Sequence, residues 1–322
     1  MNTTPSSVSG ARERALVLHG GGAAGNAWEI GVIAGLLDEG LDATDAHLIV
    51  GTSAGATAAA QITVADPADL LADILSAARG SHPSTPGPGA PAPQSNAPGQ
   101  RTHQRATSEG GARTSPTVNH LERTNRIIAA SSDAADMRRR MGAAALELDA
   151  ASGGAWSARW REIVARRLPS DRWPERRILI TAVDARTGDG VAFDRESGVE
   201  LVDAVAASTS SGDPYRIGND LYIDGGYRRN ENADLATGYA RVLVLSPFGG
   251  RTRHPLEWRM QLAAQVEELR AADSHVETIL PDAASLDAFG DDMMDVSRRP
   301  ASARAGYEQG KARAAELSGF WR

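Results

Sequence analysis

The segment Gly51-Thr52-Ser53-Ala54-Gly55 has the residue types of a serine nucleophile held in a sharp turn. It follows the β-branched run HLIV and precedes a run of small helix formers, so a strand should end and a helix should begin at the turn. Glycines suit both flanks of the serine, because such a turn leaves no room for a Cβ atom. The helix dipole would then stabilise negative charge that develops at the serine.

A serine hydroxyl needs a base to take its proton, and Asp224 is the candidate. It follows the short apolar run LYI and precedes Gly225 and Gly226, so its carboxylate would stand in a tight turn at a strand end. The residue could also be a simple Asp-Gly turn, which is common by itself. The motifs alone leave both readings of this aspartate open, as they leave Ser53 open to being an ordinary loop serine.

Histidine is the other base to consider, and the chain has seven histidines. The order Ser, acid, His of an α/β-hydrolase would require His254 or His275. Neither is predicted to follow a strand, because His254 precedes a proline at a helix start and His275 precedes a strand. The sequence therefore disfavours a histidine triad.

The segment HGGGAAG at 19–25 lies between a predicted strand and a predicted helix. Consecutive glycines can direct backbone N–H groups into one concavity, so Gly20, Gly21 and Gly22 are candidates for an oxyanion hole. Parallel strands end at the same edge of a sheet, which would bring this loop close to Ser53.

The same segment also matches Gly-x-Gly-x-x-Gly, the pattern of a dinucleotide-binding loop. That function needs a carboxylate at the end of the second strand to hold the ribose. Gly51, Thr52 and Ser53 stand there instead, and Asp42 and Asp45 precede the strand. The dinucleotide reading is therefore the weaker one.

Alternating strands and helices should position these residues, which predicts an α/β fold with a largely parallel sheet covered on both faces. The predicted strands are 15–19, 47–50, 177–184, 190–194, 221–224, 241–246 and 276–281, the third and fourth forming a hairpin. The predicted helices are 26–39, 54–65, 200–208, 256–272, most of 119–168 and a C-terminal helix from about 300.

The first helix carries two further signals. Asn26 and Glu29, three positions apart, resemble a capping box at its start. Gly31 and Gly35, four positions apart, leave one face without side chains and should let the helix approach the sheet closely.

Together these motifs resemble those of the patatin-like acyl hydrolases, serine lipases that use a Ser–Asp dyad and no histidine. The resemblance runs from GGGAAG through GTSAG to DGG, and it includes AVAAS (204–208) and NADLA (232–236). Three ordered motifs in suitable contexts are far more specific than any one of them. The family commonly has Arg or Lys where this chain has Ala24, which puts a charge contact at that position in question.

The resemblance implies a three-layer α/β/α patatin-like fold with a mainly parallel central sheet. It implies a carboxylic ester hydrolase that cleaves phospholipids or acylglycerols through an acyl-enzyme, without a metal or a cofactor. A catalytically idle patatin-like protein that binds a lipid or a partner is the alternative. The implied nucleophile is Ser53, the base Asp224, the oxyanion hole Gly20, Gly21 and Gly22, and the supporting glycines Gly25, Gly51, Gly55, Gly225 and Gly226.

The composition limits the partners. A net charge of −7 does not suggest nucleic-acid binding. Adjacent arginines are typical of solvated helix faces, and a patch for anionic headgroups in transient contact with a membrane surface is the other interpretation.

The absence of cysteine excludes a thiol nucleophile and fits a reducing compartment. With neither a signal-peptide core nor an apolar span, a cytoplasmic location is expected, and the oligomeric state is open.

Residues 81–118 stand apart from the rest of the chain. They hold seven of its sixteen prolines and almost no large apolar side chains, so we predict that they are disordered. Strong patterns on both sides indicate one domain over 1–322 that this insert interrupts.

Overall fold

The computed structural model describes residues 13–80, 116–152 and 155–322. Eight strands in this part of the chain form one sheet. The strands are β1 (Arg14–Leu18), β2 (Leu48–Gly51), β3 (Ile178–Asp184), β4 (Gly190–Phe193), β5 (Tyr215–Ile217), β6 (Asp220–Asp224), β7 (Arg241–Leu245) and β8 (His275–Ile279).

The strand order is β5-β6-β3-β2-β1-β7-β8, with β4 paired to β3. The pairs β3–β2, β2–β1, β1–β7 and β7–β8 are parallel, and β4, β5 and β6 join antiparallel. This confirms the predicted α/β fold with a mainly parallel sheet and the predicted β3–β4 hairpin. Strand β5 was not predicted, because three residues give too short a pattern.

Ten helices lie within the described ranges. They are α1 (Gly22–Asp38), α2 (Ala54–Ile62), α3 (Pro67–Gly80), α4 (Pro116–Ala130), α5 (Ala134–Ser152), α6 (Ala155–Ala165), α7 (Leu201–Ser208), α8 (Leu262–Ala271), α9 (Ala283–Phe289) and α10 (Arg299–Trp321). None of these helices has both the length and the apolar character needed to cross a bilayer.

The helices cover both faces of the sheet, and β1 shows how. Successive side chains of a strand point to opposite faces. Leu16 and Leu18 therefore pack in the same core as Trp28 of α1, while Ala15 and Val17 lie in a second core on the other face. Burial on both faces explains why the central strands are almost continuously apolar.

Helix α1 begins earlier than predicted, so the predicted capping box is wrong. The helix starts at Gly22, with Gly21 as its N-cap. Asn26 and Glu29 lie inside the helix and are buried, and Asn26 Nδ2 donates to Gln61 Oε1 of α2 at 3.2 Å. The glycine loop turns within so few residues that the helix begins directly at its end.

The glycine stripe of α1 faces a helix rather than the sheet. A Cβ added to Gly31 would overlap the carbonyl oxygen of Ala303, and one added to Gly35 would overlap that of Tyr307, both in α10. Glycines of α10 meet the backbone of α1 in the same way. The stripe therefore lets α1 and α10 pack backbone against backbone, which corrects the expected contact with the sheet.

The boundaries of two other predicted segments differ from those in the structure. The predicted helix 256–272 is a short 3-10 turn at Leu256–Trp258 followed by α8, which begins at Leu262. The predicted insert at 81–118 lies outside the described residues except at its last positions, where α4 begins.

Candidate active site

Ser53 occupies the turn between β2 and α2 in a strained conformation. Its φ is 53° and its ψ is −119°, a region that non-glycine residues rarely adopt. The turn is tight because α2 approaches β1 closely: a Cβ added to Gly55 would overlap the carbonyl oxygen of Leu18. Gly51, the last residue of β2, lies against the backbone of α2 in the same way. The predicted strand–turn–helix around the serine is confirmed.

Ser53 and Asp224 meet although 171 residues separate them. Ser53 Oγ donates a hydrogen bond to Asp224 Oδ2 at 2.8 Å. The N–H of Gly226 donates to Asp224 Oδ1, also at 2.8 Å, so each carboxylate oxygen has a donor. Asp224 ends β6 and Gly225 follows in a 3-10 turn, which aims the carboxylate across the sheet edge toward the serine.

The environment of Asp224 makes it a stronger base than an ordinary aspartate. The residue is only 7% exposed, and burial raises its pKa to about 6, against the lowering effect of the hydrogen bonds from Gly226 and Ser53. The carboxylate is thus ionised at neutral pH yet binds a proton more readily than an exposed one.

The glycine loop lies beside the serine. A Cβ on Gly20 would be 2.9 Å from Cβ of Ser53, so only glycine fits there without displacement. Gly22 has a φ of 60°, and a Cβ on it would be 2.7 Å from the carbonyl oxygen of Met293. Gly21 and Gly25 both pack against Pro247. The first N–H groups of a helix have no intrahelical acceptor, and α1 begins in this loop.

Position 24 lies in the core rather than in the site. Ala24 is buried, and its N–H donates to the carbonyl oxygen of Met293 at 3.0 Å. A charged side chain at this position would be buried here, so the departure of this chain from the family pattern fits its local packing.

Two serines, one at the last position of α7 and one just after it, hold the backbone of both members of the pair. Ser208 Oγ accepts a hydrogen bond from the N–H of Ser53 at 2.9 Å, and the carbonyl oxygen of Ser210 accepts one from the N–H of Asp224 at 3.0 Å. The sequence showed Ser208 only as the end of AVAAS and assigned it no role. Its contact with Ser53 depends on how α7 packs against α2, which a local pattern does not reveal.

Asn232 connects the ends of three structural segments. Its Nδ2 lies within hydrogen-bond distance of Thr52 Oγ1 (3.0 Å), Thr181 Oγ1 (3.3 Å) and the carbonyl oxygen of Gly225 (3.0 Å). Its φ is 57°, and Arg228 donates to its Oδ1 at 2.8 Å, which orients the amide. The sequence placed Asn232 in NADLA without a role, and only its asparagine type hinted at a left-handed conformation.

The histidines that the structure describes do not take part in the pair. His19 precedes the glycine loop, but burial lowers its pKa to about 3, and its ring packs 5.5 Å from that of Phe248. His254 Nδ1 lies 3.0 Å from Thr252 Oγ1. His275 begins β8, at the sheet edge opposite to Ser53. Within the described ranges, no group of three His, Asp or Glu side chains is arranged to hold a metal ion.

Comparison with known proteins decides the family. The sequence model of the patatin-like phospholipases matches residues 16–237, more than half of the chain. The protein belongs to the patatin-like phospholipase family. The match runs from β1 to just past the 3-10 turn that Asn232 precedes, and it thus includes Ser53 and Asp224. Membership in this family supports lipid acyl hydrolase activity in general.

Other comparisons add less. Among solved structures, this patatin-like phospholipase is similar to VipD from Legionella pneumophila, with 13% sequence identity and a TM-score of 0.41. That similarity covers 95% of this chain and 67% of the other chain. No curated protein matches this sequence.

Proposed function

We propose that the protein is a serine-aspartate dyad hydrolase that cleaves acyl esters of lipids through an acyl-enzyme. The observation that carries the proposal is the hydrogen bond from Ser53 Oγ to a buried Asp224 carboxylate, at a strained turn beside a glycine loop. Lipid esters are the substrate class that the family supports.

In the first half of the reaction, Ser53 Oγ attacks the ester carbonyl while its proton passes to Asp224 Oδ2. The carbonyl oxygen becomes an oxyanion, and we assign its stabilisation to N–H groups of Gly20, Gly21 and Gly22 and to the N-terminal end of α2, which begins next to Ser53. Collapse of this intermediate breaks the bond to the leaving alcohol, which takes the proton from Asp224. The acyl group is then an ester of Ser53.

In the second half, water replaces the alcohol. Asp224 takes a proton from the water as its oxygen attacks the acyl carbonyl, and the same N–H groups hold the second oxyanion. The bond to Ser53 Oγ breaks, the proton returns from Asp224 to Oγ, and a free carboxylic acid leaves. The raised pKa of Asp224, about 6, supports a carboxyl that both accepts and returns a proton near neutral pH.

Substitution of each member of the pair tests the dyad. Ser53→Ala and Asp224→Asn should each lower kcat for a short-chain nitrophenyl ester by about 10³-fold or more, since each removes a group that acts in every step. Ser76→Ala, on the exposed outer face of α3, is the matched control and should retain full activity. Full activity in either dyad variant would contradict the mechanism.

A covalent trap separates an enzyme from a catalytically idle binding protein. A fluorophosphonate should add its phosphonyl mass to Ser53, and the adduct should be absent from the Ser53→Ala protein. An unmodified wild-type protein that still binds lipid would favour the idle alternative. A higher melting temperature in the presence of a nicotinamide dinucleotide would instead support the less favoured hypothesis of a dinucleotide-binding protein.

We further propose that the site edge of the sheet touches a lipid surface. Phe248 and Leu280 come after the carboxyl ends of β7 and β8, and the sulfur of Met294 lies close to Gly22 of the glycine loop. All three therefore lie at the same edge of the sheet as Ser53. They are 39%, 38% and 58% exposed, and it is their grouping at one edge, rather than the exposure of any one of them, that suggests a contact surface.

Vesicle sedimentation tests this surface. Phe248→Ser combined with Met294→Ser should lower the bound fraction on phosphatidylcholine vesicles severalfold. Val64→Ser is the control, because Val64 is similarly exposed but follows the C-terminal end of α2, away from Ser53. Equal binding by both proteins would remove the proposed contact.

A further inference from the structure

Glu29 of α1 is a fully buried acid whose carboxyl group is left unpaired. The residue is 0% exposed, and neither of its carboxyl oxygens has a hydrogen-bond partner in the part of the chain that the structure describes. An ionised carboxylate in such a place loses its hydration and gains nothing in return, so the neutral acid is strongly favoured. Glu29 should therefore keep its proton in the folded protein.

The nearest titratable side chain supplies no positive charge. Burial raises the pKa of Glu29 well above the ordinary value of a glutamate, and the N–H of His19 lowers it by a smaller amount. The ring of His19 is itself neutral, because burial lowers its pKa to about 3. The two residues therefore do not form an ion pair.

The helices and turns packed against α1 do not neutralise Glu29 either. Helix α2 has no titratable side chain. The charged side chains on the neighbouring elements include Asp69, Asp73, Asp287, Arg298, Arg299 and Lys311. The three aspartates are exposed, and the three basic groups bind Asp295, Asn26 and Asp38 in that order.

Glu29 lies behind the glycine loop. Residues four apart share one face of a helix, and Gly25, four positions before Glu29, packs against Pro247 after the end of β7. Helical side chains also lean toward the N-terminus of their helix, which for α1 is the end at the loop. The carboxyl group thus lies near the N–H of His19, which donates to a carbonyl oxygen of β7 at 3.2 Å. Since His19 precedes Gly20, the acid lies beside the residue from which the loop begins.

The charge of an acid in this place bears on the chemistry at the loop. An ionised carboxylate behind the loop would repel an oxyanion in front of it. It would also attract the N–H groups that have to point at the oxyanion. A neutral carboxylic acid has neither effect.

We propose that Glu29 is a positioning residue of the oxyanion hole, which it supports as an uncharged acid behind Gly20 and which its ionisation weakens. The inference rests on the proposed function. Glu29 does not touch the substrate, so it acts through the orientation of the loop and through its own charge. The effect therefore belongs to the transition state, in which the oxyanion forms.

The alkaline side of the pH profile tests this role. In the wild-type protein, kcat for a short-chain nitrophenyl ester should fall about tenfold or more as Glu29 ionises, while KM stays constant, because the new charge opposes the oxyanion and not the neutral ester. Glu29→Gln has nearly the same shape and cannot ionise, so its kcat should stay constant over the same range. A wild-type profile without this fall would overturn the inference.

Two control variants assign the alkaline fall. Glu231 is a second buried acid near the end of β7, where it accepts a hydrogen bond from Ser246 Oγ at 3.0 Å, and burial raises its pKa to about 7. Glu231→Gln should retain the alkaline fall, and Glu308→Gln, exposed on α10, should match the wild type throughout. A fall that persists in Glu29→Gln, or that disappears only in Glu231→Gln, would count against Glu29.

Thermal unfolding measures the ionisation of Glu29 without turnover. Its pKa is higher in the folded than in the unfolded protein, so the stability that the neutral acid contributes is present at low pH and is lost as the pH rises through the folded value. The melting temperature of Glu29→Gln relative to wild type should therefore rise toward alkaline pH. If Glu29→Gln folds poorly, Glu29→Met, similar in size and unable to ionise, should show the same constant kcat.

The two measurements separate this inference from the proposed function. A melting difference that grows with pH, together with the same alkaline fall of kcat in both proteins, would contradict the role at the oxyanion hole and leave the hydrolase intact. Full activity in Ser53→Ala would contradict the dyad instead, and the kcat profiles of wild type and Glu29→Gln would still report the effect of the charge behind the loop.

Discussion

At the scale of single residues, Ser53 and Asp224 are prepared in different ways. The strained backbone of Ser53 fixes where Oγ points, and the N–H of this residue is held by Ser208. Asp224 is instead changed by its surroundings, because removal from water makes its carboxylate more basic. The backbone thus sets the orientation of Ser53, and burial sets the pKa of Asp224. The hydrogen bond from Ser53 Oγ to Asp224 Oδ2 joins the two residues.

The pH dependence of turnover should report Asp224. Because the base must be ionised, kcat/KM for a soluble ester should fall as the pH drops through about 6, the pKa to which burial raises this carboxyl. A rate profile between pH 4 and 8 measures this. A profile governed by a midpoint near the ordinary pKa of aspartate, about 4, would show that the base is not this buried carboxyl.

The same carboxyl should affect stability. Its folded pKa lies above its unfolded pKa of about 3.8, so its contribution is fully present below pH 4 and is lost as the pH rises through about 6. A difference of two pKa units corresponds to roughly 3 kcal/mol. Asp224→Asn should remove this loss, so its melting temperature relative to wild type should be higher at pH 8 than at pH 4. A constant difference would contradict the burial argument.

At the scale of elements, the turn that contains Asn232 connects the catalytic strand ends. Asn232→Ala removes the hydrogen bonds that the side-chain amide donates to Thr52 Oγ1 and to the carbonyl oxygen of Gly225. It also places alanine at a φ of 57°. We expect a loss of about 2–4 kcal/mol in unfolding free energy and a lower kcat, because Asp224 loses its support. Chemical denaturation and ester kinetics measure the two effects.

Asn232→Gly is the matched variant for that experiment. It keeps the left-handed conformation and loses only the amide, so it should be more stable than Asn232→Ala and have a similarly lowered kcat. Wild-type kcat in both variants would show that Asn232 does not position the dyad.

The contact between α1 and α10 is the second test at this scale. Gly31→Ala would push a Cβ into the carbonyl oxygen of Ala303 and should destabilise the protein by about 1–3 kcal/mol. Gly319→Ala, in α10 with open space around it, should be neutral or stabilising by about 0.5–1 kcal/mol. Thermal melts of the two variants compare them, and equal midpoints would contradict the close packing.

At the scale of the whole molecule, one sheet carries every element of the site. The family match ends at 237, yet β7 pairs with β1 and α10 packs on α1, the helix that begins in the glycine loop. Elements beyond the match thus complete the core beneath the site. We propose on this basis that the chain is a single domain.

A single domain should unfold in one step. Far-UV circular dichroism and tryptophan fluorescence should give coincident denaturation midpoints, because Trp28, Trp160 and Trp321 lie in different helices on one core. Two separate transitions would show that part of the chain folds independently and would contradict the single-domain proposal.

Much of this protein could be predicted from local patterns. The spacing of apolar residues in strands and helices, together with glycines at the turns, predicted the parallel sheet and the strand–turn–helix around Ser53. These signals act within a few residues, so a local pattern contains them. The order of GGGAAG, GTSAG and DGG predicted the family and the pairing of Ser53 with Asp224. The catalytic roles of these residues stay predictions until the substitutions are measured.

The rest was decided by tertiary structure. The support from Ser208 and Asn232 and the contact of α1 with α10 rather than the sheet join residues far apart in the chain. The pKa of Asp224 depends on how completely the fold removes water from it. Burial and long-range contact are properties of the packed molecule, so no short stretch of sequence specifies them.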